Sequence, residues 1–276
     1  FTTTGATILD DVEVLPPGLQ LWRCFTHWLG GMGIVLLGIA ILPLLGTGGM
    51  HLYRAEFSGA KSEKLKPRIT ETALALWRIY VALTLAEYVA LRLAGMNAFE
   101  AACHAFSTLG TGGFSTRTAS VGGFSSPAIE FIIIVFMILA GINFTRHYRL
   151  WRERQVRGFF GDFEVQGFLL ILLAASTIIS ASLIWETGYT WGEAARKALF
   201  QATCILTTTG FVTDDFERWR PLCQLLLLAL MFVGGCTGST AGGLKVARIL
   251  LLRRVVYRQF RRIVEPRGVF AIRLGG

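Results

Sequence analysis

Long apolar runs separated by short basic clusters dominate the chain. Residues 24–50, 165–185 and 221–244 contain no aspartate, glutamate, lysine or arginine. About 20 mostly apolar residues are enough for a helix to cross a bilayer. The pattern therefore predicts membrane-spanning helices over about residues 21–46, 69–95, 128–146 and 164–187, and a further interrupted apolar stretch over 219–257.

Two apolar segments, residues 98–109 and 191–206, are too short to span a membrane. Each leads into a run of glycine and threonine, G-T-G-G-F or T-T-T-G-F, instead of a charged loop. Segments of this length are typical of re-entrant helices. Irregular backbone at membrane depth is tolerated only where protein encloses it or where it lines a water-filled cavity.

The glycine- and threonine-rich loops form an internal repeat. Placing Gly5, Gly113 and Gly210 in register aligns T-T-G-A-T with T-G-G-F-S and T-T-G-F-V. Ala105 then coincides with Ala202, and Thr116 with Thr213. Each interval between loops has room for an outgoing helix, a cytoplasmic loop, an incoming helix and a pore segment. A repeat with a fixed order of elements indicates a repeated architecture.

The composition of these loops suits a dehydrated cation. Rings of backbone carbonyl oxygens can replace the water shell of K⁺. Glycine permits the backbone dihedrals that turn carbonyls inward, and threonine adds a hydroxyl oxygen. A single T-T-G by itself favours close helix packing over a filter. Three copies in register, two of them behind a short helix, favour a cation filter.

Composition and charge agree with a membrane protein. The 276 residues are 53% hydrophobic and 16% charged, with a mean hydropathy of +0.54 and a net charge of +9. Most lysine and arginine residues cluster in segments 51–68, 146–158 and 245–273, whereas segment 10–20 is acidic. Basic loops between apolar spans mark the cytoplasmic side and contact anionic lipid head groups. The charge therefore does not indicate a nucleic-acid-binding surface.

The five cysteines lack C-x-x-C spacing and are predicted to be buried.

Several longer stretches carry a specific resemblance. They are W-L-G-G-M-G-I (28–34), P-R-I-T-E-T-A (67–73), H-A-F-S-T-L-G-T-G-G-F-S-T (104–116), M-I-L-A-G-I-N-F (137–144) and G-G-C-T-G-S-T-A-G-G-L-K-V-A-R (234–248). With the three loops, they make the whole chain resemble the membrane subunit of Trk-type potassium uptake systems, in the Trk/Ktr/HKT superfamily.

The resemblance implies an all-α polytopic membrane protein built of helix–pore-loop–helix units with pseudo-fourfold symmetry. Residues 1–58 correspond to the filter loop and outgoing helix of unit one, 59–158 to unit two and 159–276 to unit three. Because the sequence opens with Phe1 inside the first loop, we expect a fragment that lacks the start of unit one and all of unit four.

The resemblance also assigns site residues. K⁺ is expected at Gly5, Gly113 and Gly210, within a filter formed by Thr3, Thr4, Gly5, Thr111, Gly112, Gly113, Thr208, Thr209 and Gly210. A gate is expected in the glycine-rich break of the last span, at Gly234, Gly235, Gly238, Ser239, Thr240, Gly242, Gly243 and Lys245.

Physical chemistry supports such a break but leaves rivals. Each glycine weakens a helix by about 1 kcal/mol relative to alanine, and nearby hydroxyls can rebond the freed backbone groups. Close helix packing through small residues is the main rival. A phosphate-binding loop is disfavoured because Leu244 precedes Lys245 and Val246 follows it, where that motif requires glycine and serine or threonine. Lys245 and Arg248 fit snorkelling anchors as well as a gating role.

The function implied is K⁺ uptake across the bacterial cytoplasmic (inner) membrane, with K⁺ as substrate and no covalent cofactor. The family usually works as a homodimer with a cytosolic nucleotide-binding regulatory subunit, which the basic segments could dock. A sodium-permeable or sodium-coupled relative is the alternative; glycine at position 5, where a serine-like residue is associated with sodium, favours potassium. A non-transporting structural membrane subunit is a further alternative. No catalytic pair lies in the apolar spans, so an enzyme is not expected.

Overall fold

The computed structural model describes residues 1–36, 69–153 and 156–265, and in these ranges the chain forms helices and loops but no β-strand. The helices are α1 (Pro17–Leu36), α2 (Ile69–Leu93), α3 (Ala98–Leu109), α4 (Pro127–Gly141), α5 (Phe144–Glu153), α6 (Val156–Phe160), α7 (Phe163–Thr187), α8 (Trp191–Leu206), α9 (Pro221–Val233) and α10 (Val246–Val264), with 3₁₀ turns at Ser120–Phe124 and Phe216–Arg218. The predicted all-α class is confirmed. The basic segment 51–68 and part of the first predicted span lie outside the described residues.

Two of the described helices are long and apolar enough to cross a membrane by themselves. They are α2, over Ala73–Leu93 with a mean hydropathy of 1.5, and α7, over Phe163–Trp185 with 2.3. Large apolar side chains on their outer faces, such as Leu85 and Leu170, are exposed. These faces suit contact with lipid tails, because the helical backbone satisfies its own hydrogen bonds.

The two short helices begin and end as the sequence predicts. Asn97 caps α3 by accepting from the Glu100 N–H at 2.8 Å. Thr190 and Glu193 form a reciprocal capping box at the start of α8. Both caps satisfy N–H groups that have no partner inside the helix. The two helices end at Leu109 and Leu206, directly before the glycine- and threonine-rich loops.

The span predicted over about residues 128–146 is not one continuous helix. It divides into α4 and α5, which meet at a bend of 97°. Ile142 is extended (φ −95°, ψ 150°), and the Asn143 side chain accepts from the Thr145 N–H at 2.8 Å to start the new helix. The basic segment 146–158 consequently lies largely on α5 and α6 and is not a loop.

The last apolar stretch is interrupted where the sequence predicts. Pro221 begins α9, which ends at Val233, and α10 begins at Val246. Residues 234–245, called the gate loop below, form the interruption. The division of the chain into units at residues 58 and 158 stays a prediction.

Three buried apolar clusters hold the short helices in place. One joins α7, α8 and α9 through residues such as Phe168, Ala202 and Leu227. A second joins α8 to α4, with Phe200 packed in the same cluster as Ile133. The third joins α1, α2 and α3 through Met32, Leu76 and Leu109. The glycine- and threonine-rich loops that follow α3 and α8 therefore emerge from tightly packed helices.

Candidate functional site

The three repeated loops adopt one backbone conformation. Thr3, Thr111 and Thr208 have φ values of 55°, 51° and 55°. Gly5, Gly113 and Gly210, two positions later in each loop, have φ values of 72°, 76° and 93°. Residues 3–5, 111–113 and 208–210 are called filter loops one, two and three below. The register predicted from the glycines therefore holds in the backbone.

Filter loops two and three leave their short helices in the same way. In loop two the Gly112 N–H donates to the Ser107 carbonyl at 2.9 Å, and in loop three the Thr209 N–H donates to the Cys204 carbonyl at 2.9 Å. The carboxyl ends of α3 and α8 thus point at the loops. Helix carboxyl ends carry partial negative charge, which favours a nearby cation.

Adjacent filter loops touch through their backbones. A Cβ placed on Gly5 would lie 2.2 Å from the Gly112 carbonyl oxygen. A Cβ on Gly113 would lie 2.2 Å from the Thr209 carbonyl oxygen. The same contact thus recurs between loops one and two and between loops two and three. No side chain fits at Gly5 or Gly113, which accounts for glycine there.

His27 of α1 supports filter loop two from behind. Its ring stacks on Phe114 with centroids 3.8 Å apart, and its Nδ1 lies 3.2 Å from Ser107 Oγ. A Cβ on Gly112 would lie 1.9 Å from the same Nδ1. Sequence reasoning missed His27, because a lone histidine in an apolar run carries no signal of its distant neighbours.

His104 supports the same loop from within α3. Its Nε2 lies 3.0 Å from Ser115 Oγ, and its Nδ1 lies 2.8 Å from the Glu100 carbonyl oxygen. The ring is fully buried. These contacts brace the start of α3 against the segment that follows filter loop two.

Filter loop three is held by a cysteine and a threonine. The Gly210 N–H donates to Cys204 Sγ at 3.0 Å, and the thiol contacts the Phe211 carbonyl at 3.0 Å. The Thr209 hydroxyl lies 2.8 Å from that of Thr207, so it braces the loop. All five cysteines are buried and free, as predicted. The hydrogen bonds of Cys204 were not expected. In loop one, the Thr4 hydroxyl instead lies 2.8 Å from that of Thr2.

Charged groups anchor the outer side of filter loop three. Asp214 accepts from Lys197 Nζ at 3.2 Å, Tyr189 Oη at 3.1 Å and Trp219 Nε1 at 3.2 Å. Burial alone would raise the pKa of Asp214, but these donors hold that pKa below its ordinary value. The carboxylate therefore stays ionised and fixes the end of the loop to α8.

The gate loop closes on itself at a narrow neck. A Cβ on Gly234 would lie 2.1 Å from the Gly242 carbonyl oxygen, and one on Gly243 would lie 2.5 Å from Gly234 Cα. The Leu244 N–H donates to the Phe232 carbonyl at 3.1 Å, and the Val246 N–H donates to the Gly235 carbonyl at 3.1 Å. The loop is therefore a compact excursion from the helix axis, with its ends held together.

The gate loop fits into the break between α4 and α5. The Cys236 N–H donates to the Gly141 carbonyl at 2.8 Å, and the Phe144 N–H donates to the Gly238 carbonyl at 3.0 Å. The Thr240 hydroxyl donates to the Ala140 carbonyl at 3.2 Å. Each broken span thus supplies partners for backbone groups that the other has freed, as membrane interiors require.

Glu164, near the start of α7, ties the gate loop to the first turn of α10. Its Oε1 accepts from the Thr237 N–H at 2.6 Å, the Thr237 hydroxyl at 2.9 Å and the Ala247 N–H at 3.2 Å. The side chain is buried. Sequence reasoning missed this residue, because a glutamate two positions after the helix cap Asp162 looks like an ordinary first-turn acid.

The remaining gate residues bond within the loop. The Ser239 hydroxyl donates to the Cys236 carbonyl at 2.6 Å. Lys245 is buried, has φ 70°, and its ammonium donates to the Ala241 carbonyl. Filter loops two and three reach the gate loop through Thr111 and Thr208. The structure thus brings the predicted filter and gate residues into direct contact.

The atoms of the filter loops and the gate loop that could bind a cation are carbonyl and hydroxyl oxygens. Such neutral oxygens suit alkali cations, which bind through replacement of their water shell. In the parts of the chain that the structure describes, no group of three or more histidine, cysteine, aspartate or glutamate residues could hold a metal ion. Oxygen atoms of this kind are chemically suited to a weakly held monovalent cation.

Comparisons with known proteins point in the same direction. A family model described as TrkH, cation transport protein, matches residues 1–276. The Trk system potassium uptake protein TrkH of Halomonas elongata is 46% identical over 277 residues, and that of Escherichia coli K12 is 45% identical over 277 residues. Each alignment covers 100% of this chain and 57% of the relative.

A solved structure resembles the fold closely. The crystal structure of the potassium transporter TrkH from Vibrio parahaemolyticus matches with a TM-score of 0.88 at 42% sequence identity. The match covers 100% of this chain and 56% of that one. The chain thus spans a little over half the length of the relatives it matches.

Proposed function

Because the chain belongs to the TrkH family of cation transport proteins, we propose that the full-length protein takes up K⁺ across the bacterial cytoplasmic membrane. The resemblance seen in the sequence motifs is confirmed, and the chain is a polytopic helical membrane protein. The relatives are transporters and not enzymes, in agreement with the sequence prediction.

The observation that carries the proposal is the contact between equivalent filter loops. Loop one meets loop two, and loop two meets loop three, through the same glycine-to-carbonyl approach, with the added Cβ 2.2 Å from oxygen in both pairs. Such repetition supports an arrangement in which backbone oxygens of successive loops lie side by side around one passage. A K⁺ ion that sheds its water there finds carbonyl oxygens in place of the shell.

The gate loop is proposed to control that passage. It contacts two filter loops, and its neck, its bonds to the α4–α5 break and its bonds to Glu164 define one packed arrangement. A glycine-rich loop held by a limited number of hydrogen bonds can exchange this arrangement for another of similar energy. Movement of the gate loop would then open or close the inner end of the filter.

The partners of the family are proposed for this protein as well. We expect a homodimer and a cytosolic nucleotide-binding regulatory subunit, which would meet the cytoplasmic side. Basic residues on α5 and on α10, such as Arg152 and Arg262, lie where anionic lipid head groups or such a subunit would contact the protein.

A substitution at Gly210 tests the filter assignment. Serine at Gly5 or Gly113 would collide with a carbonyl oxygen, whereas a Cβ on Gly210 meets only Gly113 Cα at 4.0 Å. Gly210→Ser should therefore fold while distorting a backbone of φ 93°. The assay is Rb⁺ uptake by cells that lack other K⁺ uptake systems. We expect either the uptake rate or the preference for Rb⁺ over Na⁺ to fall at least about tenfold, which corresponds to 1.4 kcal/mol.

Gly192→Ser is the matched control. Gly192 lies in the first turn of α8 and has no heavy atom within 4 Å of an added Cβ. The Gly192→Ser variant should leave Rb⁺ uptake and the selectivity against Na⁺ unchanged. Robust uptake that ignores Gly210→Ser would refute the filter assignment. Absence of K⁺-competed uptake in the wild-type protein, with the regulatory subunit supplied, would favour the structural-subunit alternative. Na⁺ uptake in the wild type would favour the sodium alternative.

A further inference from the structure

Two filter threonines bond directly to the gate loop. The Thr111 hydroxyl donates to the Thr240 carbonyl at 3.0 Å and shares its proton with the Gly110 carbonyl at 2.8 Å. The Thr208 hydroxyl accepts from the Gly242 N–H at 2.7 Å. Thr240 and Gly242 are two residues apart, so one short stretch of the gate loop is held by two different filter loops.

The two threonines share an unusual backbone conformation. Both lie in the left-handed region, at φ 51° and φ 55°. A β-branched residue is rarely found there, because its Cβ crowds the backbone. Such outliers persist only where the surroundings impose them and often mark functional positions. In loops two and three, the strained residue is the one that contacts the gate loop.

The gate loop is shaped to receive these contacts. A Cβ on Gly242 would lie 3.3 Å from Thr208 Oγ1, closer than most side chains approach an oxygen. Thr240 is also held from the other side, through its bond to the Ala140 carbonyl. The stretch 240–242 is therefore clamped between the filter and the α4–α5 break.

We propose that the hydroxyls of Thr111 and Thr208 latch the gate loop onto the selectivity filter, so that opening of the gate requires both hydrogen bonds to break. The proposal rests on the transport function proposed above. It assigns these side chains a positioning role toward the gate, beyond any contact that their loops make with K⁺. It also couples the filter to the gate, because a shift of either loop changes the same two bonds.

Thr3 provides an internal comparison. It occupies the equivalent position of filter loop one and has the same φ of 55°. Among the hydrogen bonds of the described residues, none joins Thr3 to the gate loop. If the threonine hydroxyls acted only as equivalent ion ligands or filter braces, the three positions would respond alike to valine. A latch predicts that Thr3 differs from the other two.

The first test is hydrogen exchange of the full-length protein in detergent or lipid nanodiscs. Removal of a neutral hydrogen bond typically shifts an equilibrium by a factor of about 2 to 10. Thr111→Val and Thr208→Val should each raise amide exchange in residues 240–245 by about that factor. Thr111→Ser and Thr208→Ser, which keep the hydroxyl, should resemble the wild type, and Thr3→Val should leave exchange in this stretch unchanged. Equal acceleration by Thr3→Val, or none by the other two valines, would overturn the latch.

The second test measures gating in single-channel recordings of the same proteins. Thr208→Val should raise the open-to-closed ratio about 2- to 10-fold, and Thr208→Ser should not. An unchanged ratio in Thr208→Val would refute the latch while leaving transport intact. A different outcome is possible, in which the valine variants exchange faster in residues 240–245 but the wild-type protein passes no K⁺. That outcome would refute the proposed function, and with it the gating role. Thr111→Val and Thr208→Val remove separate bonds, so poor folding of one variant leaves the test with the other.

Discussion

At the scale of single residues, the filter loops depend on contacts that leave no space for a side-chain atom. Gly113 is limited by the backbone of the next loop, since its Cβ would meet the Thr209 carbonyl. At Gly112 the space for a Cβ atom is filled by a side chain, the ring of His27. The two obstacles have different consequences, because a neighbouring side chain can be removed by mutation and a neighbouring backbone cannot.

Gly112→Ala should destabilise the protein in a way that His27→Ala partly reverses. The new Cβ would lie 1.9 Å from His27 Nδ1 and 2.3 Å from its Cγ. Overpacking of this kind costs about 1–3 kcal/mol. The midpoint of thermal unfolding, followed by size-exclusion chromatography after heating, should fall for Gly112→Ala and for His27→Ala. The unfolding midpoint of the double variant should fall by less than the sum of the decreases in the two single variants.

Gly113→Ala serves as the contrast, because its clash is with backbone and its φ is 76°. It should remain unstable with or without His27→Ala. Strict additivity of Gly112→Ala and His27→Ala would show that the ring does not limit position 112.

The sequence identified the glycines of this site but not the groups that support them. Three copies of a threonine–glycine pattern were sufficient to predict the loops and their register, which the positive φ of Gly5, Gly113 and Gly210 supports. His27, Cys204 and Glu164 were missed. Their roles arise from neighbours that are distant in sequence, such as Ser107 for His27, and one sequence without relatives contains no record of those pairings.

At the scale of elements, two interrupted helices complete each other. The break after α4 and the gate loop after α9 exchange backbone hydrogen bonds at Gly141, Gly238 and their neighbours. The glycine-rich interruption was predicted, because five glycines fall within one apolar span. The break at Gly141–Asn143 was not, because a single glycine inside an apolar run resembles ordinary helix packing. The bond partners of that break lie in the gate loop, so local sequence could not reveal it.

Glu164 should be the most sensitive side chain of this interlock. Glu164→Ala would remove the acceptor of three buried donors, those of Thr237 N, Thr237 Oγ1 and Ala247 N. A buried donor left without a partner costs about 1–3 kcal/mol. We expect a clear drop in the thermal unfolding midpoint and a smaller drop for Glu164→Gln, which keeps one carbonyl oxygen.

Gln166→Ala, on the same helix, is the control. Gln166 is exposed and donates from Nε2 to the Phe160 carbonyl at 2.9 Å. Loss of an exposed bond of this kind usually changes stability by within about 0.5 kcal/mol. If Glu164→Ala were no more harmful than Gln166→Ala, Glu164 would not be tying the gate loop to α10.

At the scale of the whole molecule, charge and element order define one orientation in the membrane. Helix α7 is long enough to cross a membrane, α8 is shorter, and the chain runs from filter loop three through Phe216–Arg218 to α9. Basic residues concentrate on α5 and on α10. Basic segments remain on the cytoplasmic side, so Glu217 should face outward and Arg262 inward.

Cysteine labelling of the full-length protein tests this orientation directly. All five native cysteines of the chain are buried, so they should add little background to labelling by a membrane-impermeant maleimide. Glu217 and Arg262 are both exposed. Glu217→Cys should react in intact cells whose outer membrane admits the reagent, and Arg262→Cys should react only after the inner membrane is permeabilised. The reverse pattern would invert the topology. Reaction of both variants in intact cells would show that α10 does not lie on the cytoplasmic side. Either result would place the gate loop on the wrong side of the filter for K⁺ uptake.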